Sequence, residues 1–97
     1  PVQVQVIPVS PEHHFDYAWE VTEALKKKGI RVELDARDEK VGYKIREAQV
    51  QKIPYMLVVG EQEIQTKTVN VRKYGEKDSE SVSFQDFLER IVAESRI

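Results

Sequence analysis

The sequence contains no cysteine, and this absence removes several kinds of site at once. Disulfides, thiolate nucleophiles, iron–sulfur clusters and cysteine-based zinc sites all need thiol groups that the chain does not have. A cytoplasmic location is compatible with this composition. The sequence also lacks any apolar run approaching the roughly 18 residues that a membrane-spanning helix needs, so we expect no membrane partner.

The motifs of nucleotide-binding and hydrolytic enzymes are missing as well. The chain has no GxGxxG, no GxxxxGK[ST] and no GxSxG, and the turn after the first predicted strand holds Pro8 and Pro11 where a pyrophosphate would need glycine. His13 and His14 are adjacent, so on a helix they point about 100° apart and cannot share one metal ion. We therefore expect no metal, no cofactor and no catalysis in this chain, which disfavours a small-molecule enzyme of flavodoxin-like shape.

The length and composition indicate one globular domain that covers residues 1–97. The chain has a mass of 11.3 kDa, and its residues are 40% hydrophobic and 33% charged. A chain of this size has room for one core and not for two. It begins without methionine, directly in strand-like sequence. We therefore expect a domain excised from a larger protein.

Charge is distributed unevenly along the chain. The net charge is −2 overall, but residues 1–25 carry −4, residues 26–52 carry +4 and residues 53–97 carry −2. A polyanion responds to a local field rather than to the total charge. The middle of the chain is therefore a candidate nucleic-acid surface, and a solvated face of mixed charge is the alternative.

The hydrophobic pattern predicts strands and helices in alternation, which is typical of an α/β fold with a mixed sheet. The predicted order is βαβαβ, then a further strand, then a helix. Residues 60–63 look like a turn between antiparallel strands, and a short edge strand is expected near residues 81–82. The predicted strands are residues 2–9, 30–34, 55–59 and 68–72, and the predicted helices are residues 11–28, 41–51 and 84–92.

Several polar side chains could bind nucleic acid near the second helix. Lys40 and Lys44 are one helical turn apart and could reach a phosphate backbone, unless they simply form a solvated helix face. Base edges can be read by guanidinium groups, which donate two hydrogen bonds side by side, and by carboxylates, which accept them. The candidates are Arg46, Arg72 and Glu63, although Arg46 could instead pair with a carboxylate.

Two further residues extend this predicted site. Tyr43 is a candidate platform for stacking bases, with a half-buried helix residue as the alternative reading. Asn70 should share a strand face with Arg72, because side chains two residues apart lie on the same side of a strand. We expect Arg46 and Arg72 to face the same way, in a single cationic pocket beside the second helix.

Three segments carry a specific pattern: VELDARDEKVGYKIRE at 32–47, KIPYMLVVGEQE at 52–63 and VNVR at 69–72. The pattern closely resembles the C-terminal anticodon-binding domain of bacterial threonyl-tRNA synthetase, a class II aminoacyl-tRNA synthetase, and the resemblance covers essentially the whole chain. Prolyl, histidyl and glycyl relatives share the fold but not this pattern. The resemblance implies a mixed sheet of about five strands with three helices.

The resemblance also implies a function and roles for individual residues. The domain would bind the anticodon of threonine tRNA and read its second and third bases through Asp38, Arg46, Glu63 and Arg72, while Lys40 and Lys44 hold backbone phosphate. Members of this family often have asparagine at the position of Asp38. Because a carboxylate accepts but cannot donate, we expect Asp38 to orient Arg37 or Arg46 instead.

The resemblance further implies partners that lie outside this chain. The parent would be a homodimeric, cytoplasmic threonine-tRNA ligase whose catalytic domain uses ATP, magnesium and zinc, and that catalytic domain would be this chain's neighbour. DNA and membranes are not expected as partners. The alternative is a protein-interaction module that docks through an apolar face without reading RNA.

Overall fold

The computed structural model describes residues 1–95, which form one five-stranded mixed sheet and four helices. This architecture confirms the predicted α/β class. No helix in the described part is both long and apolar enough to cross a bilayer. The elements follow in the order β1 (Val4–Pro8), α1 (Pro11–Lys27), β2 (Val32–Leu34), α2 (Val41–Val50), β3 (Tyr55–Val59), α3 (Glu61–Thr66), β4 (Thr68–Lys73), β5 (Ser79–Ser83) and α4 (Phe84–Glu94).

The strands lie in the order β2-β1-β3-β4-β5. Strand β1 pairs in parallel with both β2 and β3, whereas β4 pairs antiparallel with β3 and β5. The continuous apolar run of β3 predicts a strand covered on both faces, and β3 is indeed the central strand. The polar alternation of β2 predicts an edge position, and β2 is an edge strand. The short edge strand expected near residues 81–82 is β5.

The two faces of the sheet are covered to different extents. Helices α1 and α4 pack on one face, where the larger core includes Val6, Leu25, Leu57 and Phe87. Helix α2 packs on the other face over β1 and β3, with a smaller core of Ile7, Ala48, Ile53 and Met56. The α2 side is therefore only partly covered, and this asymmetry leaves room for a surface site.

The ends of the helices follow the predicted signals. Ser10 caps α1, because its hydroxyl accepts from the backbone N–H of His13, and Pro11 occupies the first helical position. Gly29 ends the helix at a φ of +82°, a conformation that glycine adopts without penalty. Ser83 caps α4 by accepting from the N–H of Asp86. Side-chain chemistry at these positions therefore sets where the helices begin and end.

One prediction about the chain path is wrong. Residues 60–63 are not a simple turn between β3 and β4, because helix α3 occupies Glu61–Thr66 and adds a fourth helix to the three expected. A carboxylate oxygen of Glu63 accepts from the backbone N–H of Gly60 at 2.8 Å, which caps the helix. Ile64 packs against the larger core. These two contacts stabilise a helix too short to show an apolar period in the sequence.

Candidate nucleic-acid interface

A polar strip of the sheet remains uncovered beside α2. The register places Arg72 opposite Met56 and Asn70 opposite Val58, so both polar side chains lie on the face that α2 only partly covers. Ser79 and Ser81 of β5 lie opposite Arg72 and Asn70 on the same face. We call Asn70, Arg72, Ser79 and Ser81 the open face. The prediction that Asn70 and Arg72 share one surface is confirmed.

Arg72 is half-buried on the open face and is held by the β4–β5 turn. One terminal nitrogen, Nη1, donates to the backbone oxygen of Lys77 at 2.8 Å. Its Nε is buried and has no acceptor among the described residues. No ion pair in the described part of the chain includes Arg72, so its guanidinium is oriented by a carbonyl and still has donors to offer.

Arg46 lies on the flank of α2 that faces the open strands. On the opposite flank, Lys44 contacts the backbone of Asp35 and Glu47 contacts Arg37, both at the end of β2. Residues on a helix advance by about 100° each, which turns Arg46 away from that side. Because β2 and β4 lie on opposite sides of the strands beneath α2, this places Arg46 on the outer flank of α2 nearer β4.

Helix α2, which carries Arg46, lies on the same face of the sheet as Arg72. Arg46 is exposed, and no ion pair among residues 1–95 includes it. The alternative reading, in which Arg46 pairs with Glu47, does not occur, because the partner of Glu47 is Arg37. Both arginines are thus outside any ion pair in the described part of the chain and are on the α2 side of the sheet.

The loop between β2 and α2 is fixed by an ion-pair cluster around Arg37. Its Nε and Nη2 each donate to a carboxylate oxygen of Asp35 at 2.9 Å, and Nη2 also donates to Glu47. The hydrogen bond with Arg37 is the main cause that lowers the pKa of the Asp35 carboxyl, and the same is true of Glu47. The cluster ties the end of β2 to α2 and so sets the path of residues 38–40.

The residues presented by this loop are accessible. Asp38 and Lys40 are exposed, and Lys40 is the N-cap residue that immediately precedes α2. The expectation that Asp38 orients Arg37 or Arg46 is wrong, since the carboxylates that hold Arg37 are those of Asp35 and Glu47. Tyr43 is 45% exposed, and its ring centroid lies 5.9 Å from the Arg37 guanidinium carbon.

Lys44 does not lie on a solvated helix face, so the prediction that it holds phosphate alongside Lys40 is wrong. It is only 1% exposed, and its ammonium donates to the backbone oxygen of Asp35 at 2.9 Å. Burial lowers the pKa of Lys44, and the nearby Asp35 charge partly offsets this. With its ammonium directed into the protein, Lys44 supports the β2–α2 loop from beneath.

Glu63 and Arg72 do not share a pocket. Glu63 caps α3 next to Gly60, at the end of β3 beside the first residue of β4. Arg72 lies four residues further along β4, a distance of about 13 Å at the rise of an extended strand. The expected single pocket does not include both residues, since Glu63 lies near the start of β4 on a helix that contacts α1, and Arg72 lies near the end of β4 on the open face.

The structure adds groups to this surface that sequence reasoning missed. The Lys77 carbonyl orients Arg72, and the hydroxyl groups of Ser79 and Ser81 extend the strip of polar groups. The alternating serines of residues 79–83 were the available sequence signal for this polar strand face. Away from the surface, His14 accepts from the backbone N–H of Ser10 through Nδ1 at 3.0 Å, which is a helix-end contact.

Comparison with known proteins gives a consistent result. The family model described as "Anticodon binding domain" matches residues 3–94. Threonine–tRNA ligase of Bacillus velezensis is 67% identical over 96 residues, which are 99% of this chain and 15% of that protein. Threonine–tRNA ligase 1 of Bacillus subtilis is 64% identical over the same shares. The chain thus spans about 15% of the length of these curated relatives.

Two solved structures share the fold over nearly the whole chain. The RNA-binding domain of threonyl-tRNA synthetase from Cryptosporidium parvum Iowa II has a TM-score of 0.89 at 29% identity, and the match covers 96% of this chain and 23% of that one. Prolyl-tRNA synthetase from Cryptosporidium parvum has a TM-score of 0.84 at 25% identity, over 97% of this chain and 21% of that one.

Proposed function

The chain belongs to the anticodon-binding domain family, and from that premise we propose that it reads the anticodon of threonine tRNA as one domain of a threonine–tRNA ligase. The observation that carries this proposal is the placement of Arg46 and Arg72 on one side of the sheet. Neither guanidinium is in an ion pair among the described residues, and both border an uncovered polar strip.

Unpaired anticodon bases would lie across the open face of β4 and β5. Sequence-specific RNA recognition usually targets loops, where unstacked bases expose their hydrogen-bonding edges to side chains. Arg46 and Arg72 donate to base edges there, and Glu63 accepts from a base through the carboxylate oxygen that does not cap α3. The length of the surface suits more than one base, in keeping with readout of the second and third anticodon positions.

The β2–α2 loop would hold the RNA backbone and set its register. Lys40 is exposed at the start of α2 and supplies a point charge for phosphate, whereas the buried Lys44 takes no part. Asp38 is exposed and can only accept while ionised, so any contact it makes with a base is to a donor. Tyr43 beside Arg37 offers a ring on which a base can stack.

The rest of the proposed activity belongs to parts of the protein outside this chain. Aminoacylation, with its ATP, magnesium and zinc, would take place in a catalytic domain, and this chain would position the tRNA for it. A homodimeric parent in the cytoplasm is part of the same proposal. We favour RNA readout over a protein-docking module because the uncovered surface beside α2 is polar and basic rather than apolar.

The direct test is a titration of the chain with two RNA stem-loops by fluorescence anisotropy. One stem-loop carries the threonine anticodon, and the other differs only at the second anticodon base. We expect tighter binding of the first, by about 1–3 kcal/mol for one lost bidentate contact. Equal weak binding of both would contradict base reading and indicate a merely basic surface, while no binding would favour the docking module.

A further inference from the structure

A groove of about 360 Å³ lies beyond the open face, on the α1–α4 side of the sheet. It opens at the end of the sheet where β1 and β3 begin. We call it the amino-edge groove, and it is lined by Lys52, Pro54, Tyr55, Lys73, Tyr74 and Glu94. Of its two aromatic residues Tyr55 is buried and Tyr74 is exposed. Ammonium groups beside an exposed aromatic ring are the combination by which proteins bind single-stranded nucleic acid, through phosphate attraction and base stacking.

The acidic group in the lining is already engaged within the protein. Both carboxylate oxygens of Glu94 accept from the Tyr55 hydroxyl, at 2.8 and 2.9 Å. Burial and the bond to Glu94 raise the pKa of Tyr55 to about 12, so this hydroxyl keeps its proton at neutral pH. No ion pair among residues 1–95 includes Lys52 or Lys73. Lys52 is exposed, and the partly exposed Lys73 places its ammonium 5.9 Å from the centroid of the Tyr55 ring.

Lys52 occupies a backbone position that normally favours glycine. Its N–H donates to the carbonyl of Gln49 at 3.0 Å and that of Ile53 donates to Ala48 at 3.1 Å, which closes α2 with Lys52 in the left-handed region at a φ of 59°. A side chain there is strained relative to glycine. A cation at the carboxyl end of a helix interacts favourably with the helix dipole, which partly offsets this strain.

Helix α1 ends in the same hydrogen-bonding motif, and there the equivalent residue is glycine. Gly29 donates to Lys26 at 2.9 Å and Ile30 donates to Leu25 at 3.2 Å, with Gly29 at a φ of +82°. The chain thus uses glycine at the end of α1 and lysine at the end of α2, and Lys67 at the end of α3 likewise has a positive φ, of 57°. Lysine at such a position recurs in this chain, and Lys52 differs from Lys67 in that it lines the amino-edge groove.

Tyr74 presents an exposed ring on an anchored backbone. Its N–H donates to the carbonyl of Pro54 at 2.9 Å, and the N–H of Glu76 donates to Lys73 at 3.1 Å across a turn in which Gly75 has a φ of +83°. The Tyr74 side chain is 48% exposed. A large aromatic side chain held this way offers a stacking surface that needs little ordering on binding.

The groove and the open face lie on opposite faces of the sheet, and both are next to the β4–β5 turn. Arg72 and Lys73 are consecutive, so their side chains lie on opposite faces of β4 at the same end of the sheet. The turn that carries Tyr74 also supplies the Lys77 carbonyl that orients Arg72. An RNA strand that passes Arg72 and bends around the β4–β5 turn would reach the groove on the other face.

We propose that the amino-edge groove binds one further unpaired nucleotide of the RNA whose bases lie on the open face. The base stacks on Tyr74, and the phosphate is held by Lys52 and Lys73. This inference rests on the proposed function, because it assumes that the open face binds RNA. The groove adds affinity and not base identity, since stacking and phosphate contacts are largely independent of sequence.

The decisive variant is Lys52→Gly, which removes the charge and relieves the backbone at the same time. Binding of both stem-loops is measured over a range of KCl concentrations, and thermal unfolding is followed in parallel. We expect the slope of log affinity against log salt to fall by about 0.7, the value for one lost phosphate contact on a single strand. We expect an unchanged or higher melting temperature, because glycine is unstrained at a positive φ. Weaker RNA binding could then not be explained by a destabilised fold.

Tyr74 is tested by two substitutions with the same measurements. Tyr74→Ala should weaken both stem-loops by the same factor, at least about fivefold, whereas Tyr74→Phe should bind like the parent because the ring remains. Lys27→Gln is the matched control, since Lys27 is an exposed lysine at the end of α1 outside the groove. It should change the affinity and salt slope little.

The outcomes separate this inference from the proposed function. If the parent chain distinguishes the stem-loops but Lys52→Gly keeps the parent's affinity and salt slope, the groove proposal is overturned and the proposed function stands. If the parent chain binds both stem-loops equally, base reading fails, and loss of affinity in Lys52→Gly and Tyr74→Ala still supports the groove. If the chain binds neither stem-loop, both proposals are overturned.

Discussion

The ammonium nitrogen of Lys44 lies 2.9 Å from the backbone oxygen of Asp35, in a site where Lys44 is 1% exposed. Arg37 grips the side chain of the same Asp35 with two nitrogens. The backbone and the carboxylate of one residue are thus held by two different cations. This arrangement fixes the loop that carries Lys40. Lys44 is therefore a structural residue, whereas the exposed Lys40 is accessible to a ligand.

Lys44 and Lys40 should respond differently to alanine substitution. Lys44→Ala empties a buried site and removes a donor from a carbonyl, so we expect the free energy of unfolding to fall by about 2–3 kcal/mol. Lys40→Ala removes an exposed side chain and should leave that free energy within about 0.5 kcal/mol of the parent. Urea denaturation measures both, and equal effects would contradict the assignment of Lys44 as a structural residue.

The Arg37 cluster should make stability depend on pH in the acidic range. Arg37 lowers the pKa of the Asp35 and Glu47 carboxyls in the folded state, so these groups stabilise the fold above their unfolded pKa values, near 4. That stabilisation is lost as the pH falls through the lowered folded values. Arg37→Gln should therefore differ most from the parent in unfolding free energy at pH 7 and least near pH 2.

The measurement is a series of denaturation curves between those two pH values. Arg90→Gln is a suitable control, because Arg90 pairs with Glu80 at 3.5 Å on a different part of the surface. An exposed pair of this kind contributes little to stability. A difference between Arg37→Gln and the parent that stays constant across the series would show that the pair with Asp35 is not its origin.

Glu63 has two tasks that conservative substitution can separate. Glu63→Gln keeps an oxygen that can accept from the Gly60 N–H, so α3 stays capped, but it removes the charge and adds donors. We expect stability close to that of the parent and altered preference for the anticodon bases. Glu63→Ala loses the cap and should cost about 1 kcal/mol in unfolding free energy. If Glu63→Gln had the same base preference as the parent, the proposal that Glu63 contacts an anticodon base would be contradicted.

Most of the fold could be predicted from the sequence because local signals and tertiary packing agree. The run of residues 55–59 is apolar throughout and forms the central strand, and Ser10, Pro11 and Gly29 mark the ends of α1 as they do in many helices. Helix α3 was not predicted because it has only six residues and one well-packed apolar side chain, Ile64, which is too few to show a helical period. Its spacing of Gly60 and Glu63 was a weak capping signal that a turn also fits.

The candidate site could be predicted only in part. The period of α2 suggested a solvated position for Lys44, and it could not show that the end of β2 brings the Asp35 carbonyl over that face. Sequence alone likewise could not place Arg37 between Asp35 and Glu47, because these three residues meet only when β2 and α2 pack together. By contrast, the shared face of Asn70 and Arg72 follows from strand alternation alone, and the structure confirms it.

The central claim is that Arg46 and Arg72 read bases while Lys40 holds the backbone. It is tested most directly by the ratio of affinities for the threonine anticodon stem-loop and for the one changed at the second base, measured for Arg46→Ala, Arg72→Ala and Lys40→Ala. We predict that the arginine variants lose most of the discrimination, about 1–3 kcal/mol, and that Lys40→Ala weakens both stem-loops alike and keeps the ratio. If all three variants lowered the two affinities by one common factor, the division into readers and holders would be contradicted.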